Sequence, residues 1–171
     1  MLENEHIRVC INEHGAELSE IILKKTGANY LWSGDAKYWG RHAPVLFPTV
    51  GKLKNDEYFI DGKRYSMHQH GFARDMDFEV EEKQRTRAVF VLKSDSETKK
   101  AYPFEFVLKI AYTLFENTIE TPHIRSKIPT VRKCLSGSVP IRHFQRSFKS
   151  VMNMMTTSLK LRGKNHAAFC R

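Results

Sequence analysis

The sequence predicts an all-β fold, an antiparallel sandwich or barrel, on three observations. Apolar residues recur at every second position in several short segments, most clearly over residues 102–114. An Asp-Gly pair lies between two short segments, residues 58–60 and residues 63–65, and the other connections are short as well. No part of the chain alternates strands and helices in the rhythm of βαβ units. Together these features are typical of an antiparallel sheet.

The first two predicted strands lie near the N-terminus. In residues 6–11, Ile7, Val9 and Ile11 fall on one face at the strand period of two. Residues 16–23 follow a His-Gly pair directly, so we expect them to pair with the first strand.

A hairpin is predicted around Asp61 and Gly62, which lie between residues 58–60 and residues 63–65. A type I′ turn requires positive φ, which glycine adopts without strain. An Asp-Gly pair between two short β-like segments therefore indicates a two-residue hairpin loop.

The remaining predicted strands lie between residues 78 and 114. Phe78 and Val80 begin one strand, residues 88–92 form another, and residues 96–101 form a single helical turn. Residues 102–114 form the longest strand, because a helix would scatter the apolar residues that a strand places on one face. These residues are Phe104, Phe106, Leu108, Ile110, Tyr112 and Leu114.

The net charge of +9 is unevenly distributed. Residues 1–120 contain 17 Lys and Arg and all 19 Asp and Glu, a net charge of −2, whereas residues 121–171 contain 11 Lys and Arg and no acid, a net charge of +11. The basic segment has no sustained period of two or 3.6. We therefore expect one structured domain in residues 1–120 and a mostly irregular, disordered basic tail in residues 121–171.

The composition also limits the class of protein. No apolar run is long enough for a membrane span, and the N-terminus lacks the apolar core of a signal peptide. Cys10, Cys134 and Cys170 are far apart and odd in number, which indicates neither a disulfide framework nor a zinc site. We expect a cytoplasmic protein with no membrane partner.

Two linked motifs carry a family resemblance. The sequence YWGRHAPVLFPTVGKLKN occupies residues 38–55 and HQHGFARD occupies residues 68–75, with the Asp-Gly hairpin between them. Together with EHGAEL at residues 13–18 and YLW at residues 30–32, they resemble the LacX-type branch of the aldose 1-epimerases, the galactose mutarotase-like proteins. The resemblance extends over residues 2–120.

The resemblance implies a large antiparallel β-supersandwich with a sugar cleft on one face, of which this chain holds the N-terminal portion. The implied activity is interconversion of the α and β anomers of an aldose by general acid–base catalysis, without a metal or other cofactor. In the family the acid is a histidine in a G-(A/G)-H-P-A-F motif, and the base is a glutamate near the C-terminus. The printed sequence contains neither motif, so we expect this truncated chain to be inactive.

Three residues match sugar-binding positions of the family, and two more are candidates. His70 matches a histidine that contacts the sugar near C1 and the ring oxygen. Lys52 stands where the family usually has arginine, which keeps the charge but loses the bidentate fork. Arg74 matches a cleft residue of the LacX-type branch, and Arg41 and His42 are further candidates. The alternative for each is an ordinary structural or solvated role.

The basic tail is interpreted as the product of a shifted reading frame. If one base were lost near codon 120, the original frame would begin at the third base of each printed codon. Over residues 137–144 the genetic code then permits I-G-A-H-P-A-F, the family motif at its expected place. His143 belongs to the shifted reading and is not assigned as the acid.

Two other functions stay open at this point. The protein could bind a sugar or sugar phosphate without turnover, for which the cationic side chains of Lys52 and Arg74 are suited. The tail could bind nucleic acid through its charge, but it lacks interleaved aromatic residues and matches no known module, so no nucleic-acid partner is expected.

Two further patterns have ordinary explanations. His68 and His70 have the alternating spacing of two ligands on one side of a strand, but no third ligand is evident, so no metal is expected. Trp32 and Trp39 could stack on a sugar ring, but we expect both to be buried in the core.

Overall fold

A computed structural model of the chain describes residues 1–121 and the backbone of two short strands, Ile124–Ser126 and Ser158–Lys160. Within this part the chain forms twelve β-strands, one four-residue α-helix and two short 3-10 turns. All paired strands are antiparallel, so the predicted all-β fold is confirmed.

The first sheet has four strands in the order β1 (Leu2–Glu3), β2 (Ile7–Ile11), β3 (Leu18–Leu23) and β4 (Ala28–Asn29). Ile7 and Val9 are fully buried, as the period of two predicts. Strand β3 begins at Leu18 and not at residue 16, because Ala16 has a φ of 47° and belongs to the turn that precedes the strand.

The β5 (Glu57–Ile60) and β6 (Lys63–Ser66) strands form a separate two-stranded hairpin. The φ angles of Asp61 and Gly62 are 49° and 76°, the positive values of a type I′ turn, so the hairpin prediction is confirmed. Tyr58 stacks on Tyr65 and donates a hydrogen bond from its hydroxyl to the Ala101 carbonyl at 2.6 Å. That bond ties the hairpin to α1 (Thr98–Ala101), the predicted helical turn.

The second sheet is built on β7 (Glu79–Lys83), β8 (Arg87–Lys93) and β9 (Val107–Phe115). Strand β9 begins at Val107, so the prediction of a strand from residue 102 is wrong at its start. Pro103 has no N–H to donate to a ladder, and the N–H of Phe106 donates to the Ser94 hydroxyl at 3.1 Å. The predicted facing is correct, because Phe106, Leu108, Ile110, Tyr112 and Leu114 are all buried.

Three more strands extend this sheet: β10 (Thr118–Glu120), β11 (Ile124–Ser126) and β12 (Ser158–Lys160). Both β10 and β11 pair with β9, and β12 pairs with β10. Ile119 lies opposite Leu114 of β9, and Ile124 lies opposite Ile110. Two pieces of the basic tail therefore join the sheet, and the predicted disorder of the rest lies outside the described residues.

One apolar core joins the two sheets and the loop that follows residue 44. Phe47 is buried in that core, and its ring contacts the rings of Phe72, Tyr102 and Phe106 at centroid distances of 5.0–6.1 Å. This packing fixes the segment on which the candidate site is built. Within residues 1–121 and the two short tail strands, no helix has the length and apolar content needed to cross a membrane.

Candidate functional site

Two loops that carry the family-like motifs are joined by their backbones. The carbonyl of Phe47 accepts hydrogen bonds from the N–H groups of Phe72 at 2.9 Å and Ala73 at 3.2 Å. Gly71 has a φ of 74°, and a Cβ atom there would overlap the Phe47 carbonyl. Glycine is therefore required at this position for both conformational and steric reasons.

His70 and Gly51 form a reciprocal pair at the centre of the joined loops. The His70 N–H donates to the Gly51 carbonyl at 2.9 Å, and the Gly51 N–H donates to His70 Nδ1 at 3.0 Å. His70 has a φ of 70°, a strained value for a residue with a side chain. Because Nδ1 accepts a hydrogen bond, a neutral ring carries its proton on Nε2. The backbone therefore fixes both the orientation and the tautomer of the imidazole.

The charge state of His70 follows from its surroundings. Partial burial lowers the pKa of the ring below its ordinary value of 6.5, and the nearby Arg74 lowers the pKa further. The imidazole is therefore neutral at pH 7 and offers an N–H donor at Nε2. Gln69 Nε2 lies 3.2 Å from that nitrogen, a favourable contact only with the amide oxygen turned toward the ring.

Arg74 and Arg41 lie behind His70 and share Asp75. Arg74 Nη2 donates to the Gln69 carbonyl at 3.0 Å, which places its guanidinium beside the His70 turn. Arg41 Nη1 donates to the Arg74 carbonyl at 3.1 Å, and Arg41 Nη2 forms an ion pair with Asp75. Arg74 Nε lies 3.5 Å from Asp75 and is buried without a hydrogen-bond partner among the described residues.

Lys52 follows Gly51 directly and extends into solvent. Its Nζ lies 3.7 Å from Asp56 Oδ2, a long and exposed ion pair that is worth little in water. Two buried oxygens near it, Asp56 Oδ1 and Thr49 Oγ1, have no hydrogen-bond partner within the described residues. Buried polar atoms are normally paired, so this loop retains unused capacity for hydrogen bonds.

His42 is held apart from the other four predicted residues. Its N–H and that of Ala43 both donate to the buried carboxylate of Glu17, at 2.6 and 2.8 Å. The imidazole of His42 lies against Gly34, where an added Cβ atom would collide with the ring. The structure thus brings together His70, Arg74 and Arg41, whereas Lys52 is joined to them only through its neighbour Gly51. The described contacts of His42 are those of a packing residue.

A cavity of about 280 Å³ lies on the other side of the same turn, between β6 and α1. It is mainly apolar and is lined by Met67, His68, Gly71, Phe72 and Ala101, with Ser66 and Lys100 at its edge. None of the five predicted residues lines it.

Three residues of this region were not identified from the sequence. Gly51 fixes His70, Asp75 bridges two arginines, and Glu17 anchors the backbone next to Arg41. All three residues lie inside the quoted motifs, so their positions were visible. Their partners depend on contacts between distant segments, which no local pattern reveals.

The expected burial of the two tryptophans is wrong. Trp32 is 41% exposed and Trp39 is 49% exposed. A tight turn at Asp35, whose carbonyl accepts the N–H groups of Tyr38 and Trp39, carries this loop away from the core. The Trp32 indole N–H donates to the Trp39 carbonyl at 2.8 Å, so its polar atom is satisfied without burial.

The two histidines with alternating spacing do not lie on a strand. Strand β6 ends at Ser66, and His68 and His70 lie in the turn that follows it. Over the described part of the chain, no three His, Cys, Asp or Glu side chains form a group that could hold a metal ion.

The site consists of two loops joined by hydrogen bonds and a neutral histidine with a fixed ring, with cationic side chains nearby. Known proteins that resemble the chain identify its family. The family model for aldose 1-epimerase matches residues 1–131, beyond the predicted domain boundary at residue 120. The chain belongs to the aldose 1-epimerase family. It is 34% identical over 128 residues to protein LacX of Lactococcus lactis subsp. lactis, in both its plasmid and its chromosomal form.

Two solved aldose 1-epimerase-like structures are similar to the described fold. A galactose mutarotase related enzyme from Lactobacillus acidophilus is 48% identical with a TM-score of 0.69, over 70% of this chain and 40% of that one. A galactose mutarotase-like protein from Lactobacillus casei is 39% identical with a TM-score of 0.66, over 71% of this chain and 43% of that one. The match to LacX covers 70% of this chain and 42% of the relative, so the chain spans about two fifths of the length of these proteins.

Proposed function

We propose that the chain carries the N-terminal, sugar-binding part of an aldose 1-epimerase domain and holds an aldose ring against the His70–Gly51 pair. His70 Nε2 donates to an oxygen of the sugar near C1, which takes the place of the Gln69 amide, and Lys52 and Arg74 supply further donors. The observation that supports this most directly is the fixed tautomer of His70, whose Nδ1 accepts the Gly51 N–H at 3.0 Å. A neutral, oriented N–H donor is suited to a neutral sugar oxygen.

The same geometry makes His70 a poor proton-transfer group. Exchange of anomers needs a base that removes the proton of the C1 hydroxyl and an acid that protonates the ring oxygen. His70 has a lowered pKa, so the ring is rarely protonated at pH 7, and its second nitrogen is occupied by the Gly51 amide. We propose that the chain by itself binds the sugar without accelerating mutarotation.

Saturation-transfer NMR with D-galactose and the full-length chain tests the binding. We expect saturation transfer to the sugar protons near C1. His70→Ala should lower the affinity for galactose about tenfold, since the loss of one hydrogen bond of this kind costs about one factor of ten in affinity. His68→Ala is the matched control, because its exposed side chain lies two residues away on the same turn. Equal binding by wild type and His70→Ala would overturn the proposed site.

Polarimetry on freshly dissolved α-D-galactose tests the second half of the proposal. We expect the rate of mutarotation with the chain to equal the rate in buffer alone. A rate above the buffer rate that disappears in His70→Ala would contradict the proposal, because it would make His70 part of a working acid–base pair.

A sugar phosphate is the second candidate ligand, supported by the local charge. Arg41 and Arg74 share the single carboxylate of Asp75, and Arg74 Nε, 3.5 Å from that carboxylate, is buried without a hydrogen-bond acceptor among the described residues. Lys52 adds an exposed cation whose ion pair with Asp56 is long. Phosphate oxygens accept strong charge-assisted hydrogen bonds from such groups. Calorimetry with galactose and galactose 6-phosphate separates the two candidates. The phosphate should lose much more affinity than galactose in Arg74→Gln, and only the phosphate should lose affinity at high salt.

We also propose that residues 121–171 are read in a shifted frame. The supporting observations are the complete absence of acidic residues from that segment and the family motif that the shifted frame permits over residues 137–144. Resequencing the gene around codon 120 tests this: one additional base would restore the motif, and an unchanged sequence would refute the shift.

A further inference from the structure

Gln69 lies in the tight turn that presents His70. The Gly71 N–H donates to the His68 carbonyl at 3.0 Å, which closes a four-residue turn with Gln69 and His70 at its two central positions. His70 has a φ of 70°, the positive value that the second central residue of a type II turn requires. The side chains of Gln69 and His70 are therefore carried by one short and well-defined piece of backbone.

The main chain of Gln69 is also held by Arg74. Arg74 Nη2 donates to the Gln69 carbonyl at 3.0 Å. This bond uses a main-chain atom only, so the side-chain amide of Gln69 remains available for another partner. That amide lies 3.2 Å from His70 Nε2.

The contact between Gln69 and His70 uses the outward donor of the ring. His70 Nδ1 accepts the Gly51 N–H at 3.0 Å, so the neutral imidazole carries its proton on Nε2. The partner of an N–H donor must be an acceptor, which places the amide oxygen of Gln69 against the ring. The Gln69 oxygen thus accepts the same hydrogen bond that the proposed site offers to a sugar oxygen. A sugar can bind to Nε2 only when this internal bond is broken.

We propose that Gln69 is an intramolecular competitor for the ligand of His70 and thereby sets the affinity of the site. A net hydrogen bond of this kind is worth about a factor of five in affinity. Breaking the bond costs the same free energy for every ligand that binds Nε2, whatever else that ligand contacts. The inference rests on the proposed sugar site and adds to it a residue that weakens binding.

Titration calorimetry of the full-length chain with D-galactose tests the competition. Gln69→Ala should bind galactose about fivefold more tightly than wild type, whereas the loss of a direct sugar contact would weaken binding. Gln69→Met is the matched variant, because methionine has a similar length and offers only a weak acceptor, so it should give a similar gain. Neither change removes the bond from Arg74, which ends on the main chain. A gain in Gln69→Ala that is absent in Gln69→Met would assign the effect to bulk and overturn the proposal.

A double-mutant cycle shows whether Gln69 acts through His70. In the His70→Ala background, Gln69→Ala should give no gain in galactose affinity, because the donor for which the amide and the sugar compete is gone. A gain that persists without the imidazole would overturn the proposal. His68→Ala, on the other side of Gln69, is the positional control and should bind galactose as wild type does.

Proton exchange at His70 Nε2 gives a readout that requires no sugar. By NMR of the chain with isotopically labelled histidine, the Nε2 proton should exchange with water about fivefold faster in Gln69→Ala than in wild type, because it has lost its acceptor. Equal exchange rates would show that Gln69 does not hold the ring and would overturn the proposal.

Failure of the competition and failure of the sugar site are distinguishable. If wild type and Gln69→Ala bind galactose equally, the competition is overturned and the sugar site stands. If no variant binds galactose, the proposed sugar site fails and the competition fails with it, and the exchange rates still show whether Gln69 holds His70.

Discussion

Gly51 and His70 hold each other by two hydrogen bonds of opposite direction, one between backbones and one from the Gly51 N–H to the imidazole. The glycine has a φ of 83° and the histidine a φ of 70°, so both residues of the pair have left-handed backbones. This arrangement fixes which nitrogen of His70 faces outward. Four predictions follow from it and from the contacts around it.

Replacing Gly71 by alanine should destabilise the fold far more than replacing Gly62. Both glycines have similar φ values, 74° and 76°, but an added Cβ meets the Phe47 carbonyl at Gly71 and nothing within 4 Å at Gly62. We expect Gly62→Ala to cost about 1–2 kcal/mol from backbone strain alone. Gly71→Ala should cost at least about 2 kcal/mol more, from steric overlap. Urea unfolding measures both, and equal losses would refute the close contact.

Glu17 should stabilise the Arg41 segment through one carboxylate oxygen. That oxygen accepts the N–H groups of His42 and Ala43. Glu17→Gln keeps an oxygen acceptor, whereas Glu17→Ala leaves two N–H groups unpaired, each at a cost of about 1–3 kcal/mol. We expect the free energy of unfolding to fall by at least about 2 kcal/mol more for alanine than for glutamine. Similar losses for the two variants would contradict this role.

The stability of the fold should depend on pH through His70. Its pKa is lowered from the ordinary 6.5, mainly by burial and also by Arg74, so the unfolded chain binds a proton at a higher pH than the folded chain does. The neutral ring contributes fully to the free energy of unfolding above pH 6.5. This contribution is lost as the pH falls toward the pKa of His70 in the folded chain.

Chemical denaturation of wild type and His70→Gln at pH 7.5 and pH 5.5 checks this dependence. The difference in unfolding free energy between the two proteins should shrink at the lower pH. Galactose affinity of the wild type should fall over the same interval, because protonation of Nδ1 breaks the bond from Gly51. Parallel pH curves for the two proteins would show that His70 is not held neutral.

Lys52→Arg should increase the affinity for a phosphorylated sugar. Lysine offers a single point charge, whereas the guanidinium of arginine binds phosphate oxygens through two parallel hydrogen bonds. We expect galactose 6-phosphate to bind about threefold to tenfold more tightly by calorimetry. Lys54→Arg is the control, since that side chain is exposed two residues further along. Equal gains at both positions would indicate a nonspecific effect of charge.

Much of the fold could be predicted from local patterns. Alternation at Ile7 and Val9 identified a half-buried strand, and Asp61-Gly62 identified a hairpin, because each signal depends on neighbouring residues and backbone preference alone. The predicted start of β9 was wrong because it depends on a contact between residues distant in the sequence. Tyr102 and Phe106 are as buried as strand residues, but Pro103 and the Ser94 hydroxyl interrupt the ladder before Val107.

The candidate site was predictable only in part. The motif around His70 drew attention to a turn at which Arg41 and Arg74 do meet, while the role of these residues in binding stays a prediction. Nothing in the sequence indicated that Gly51 would fix the ring, since the two residues are 19 positions apart. The exposure of Trp32 and Trp39 was missed because aromatic residues are usually buried, and only the turn at Asp35 reverses that preference.

The most direct test of the sugar site is a galactose titration followed by amide chemical shifts in the full-length chain. We predict that the largest changes occur at the amides of Gly51 and His70, which hydrogen-bond to each other, and that these changes vanish in His70→Ala but persist in His68→Ala. Saturable shifts centred instead on Met67 and Ala101, at the cavity on the other side of the turn, or no shifts at all, would contradict the proposed site.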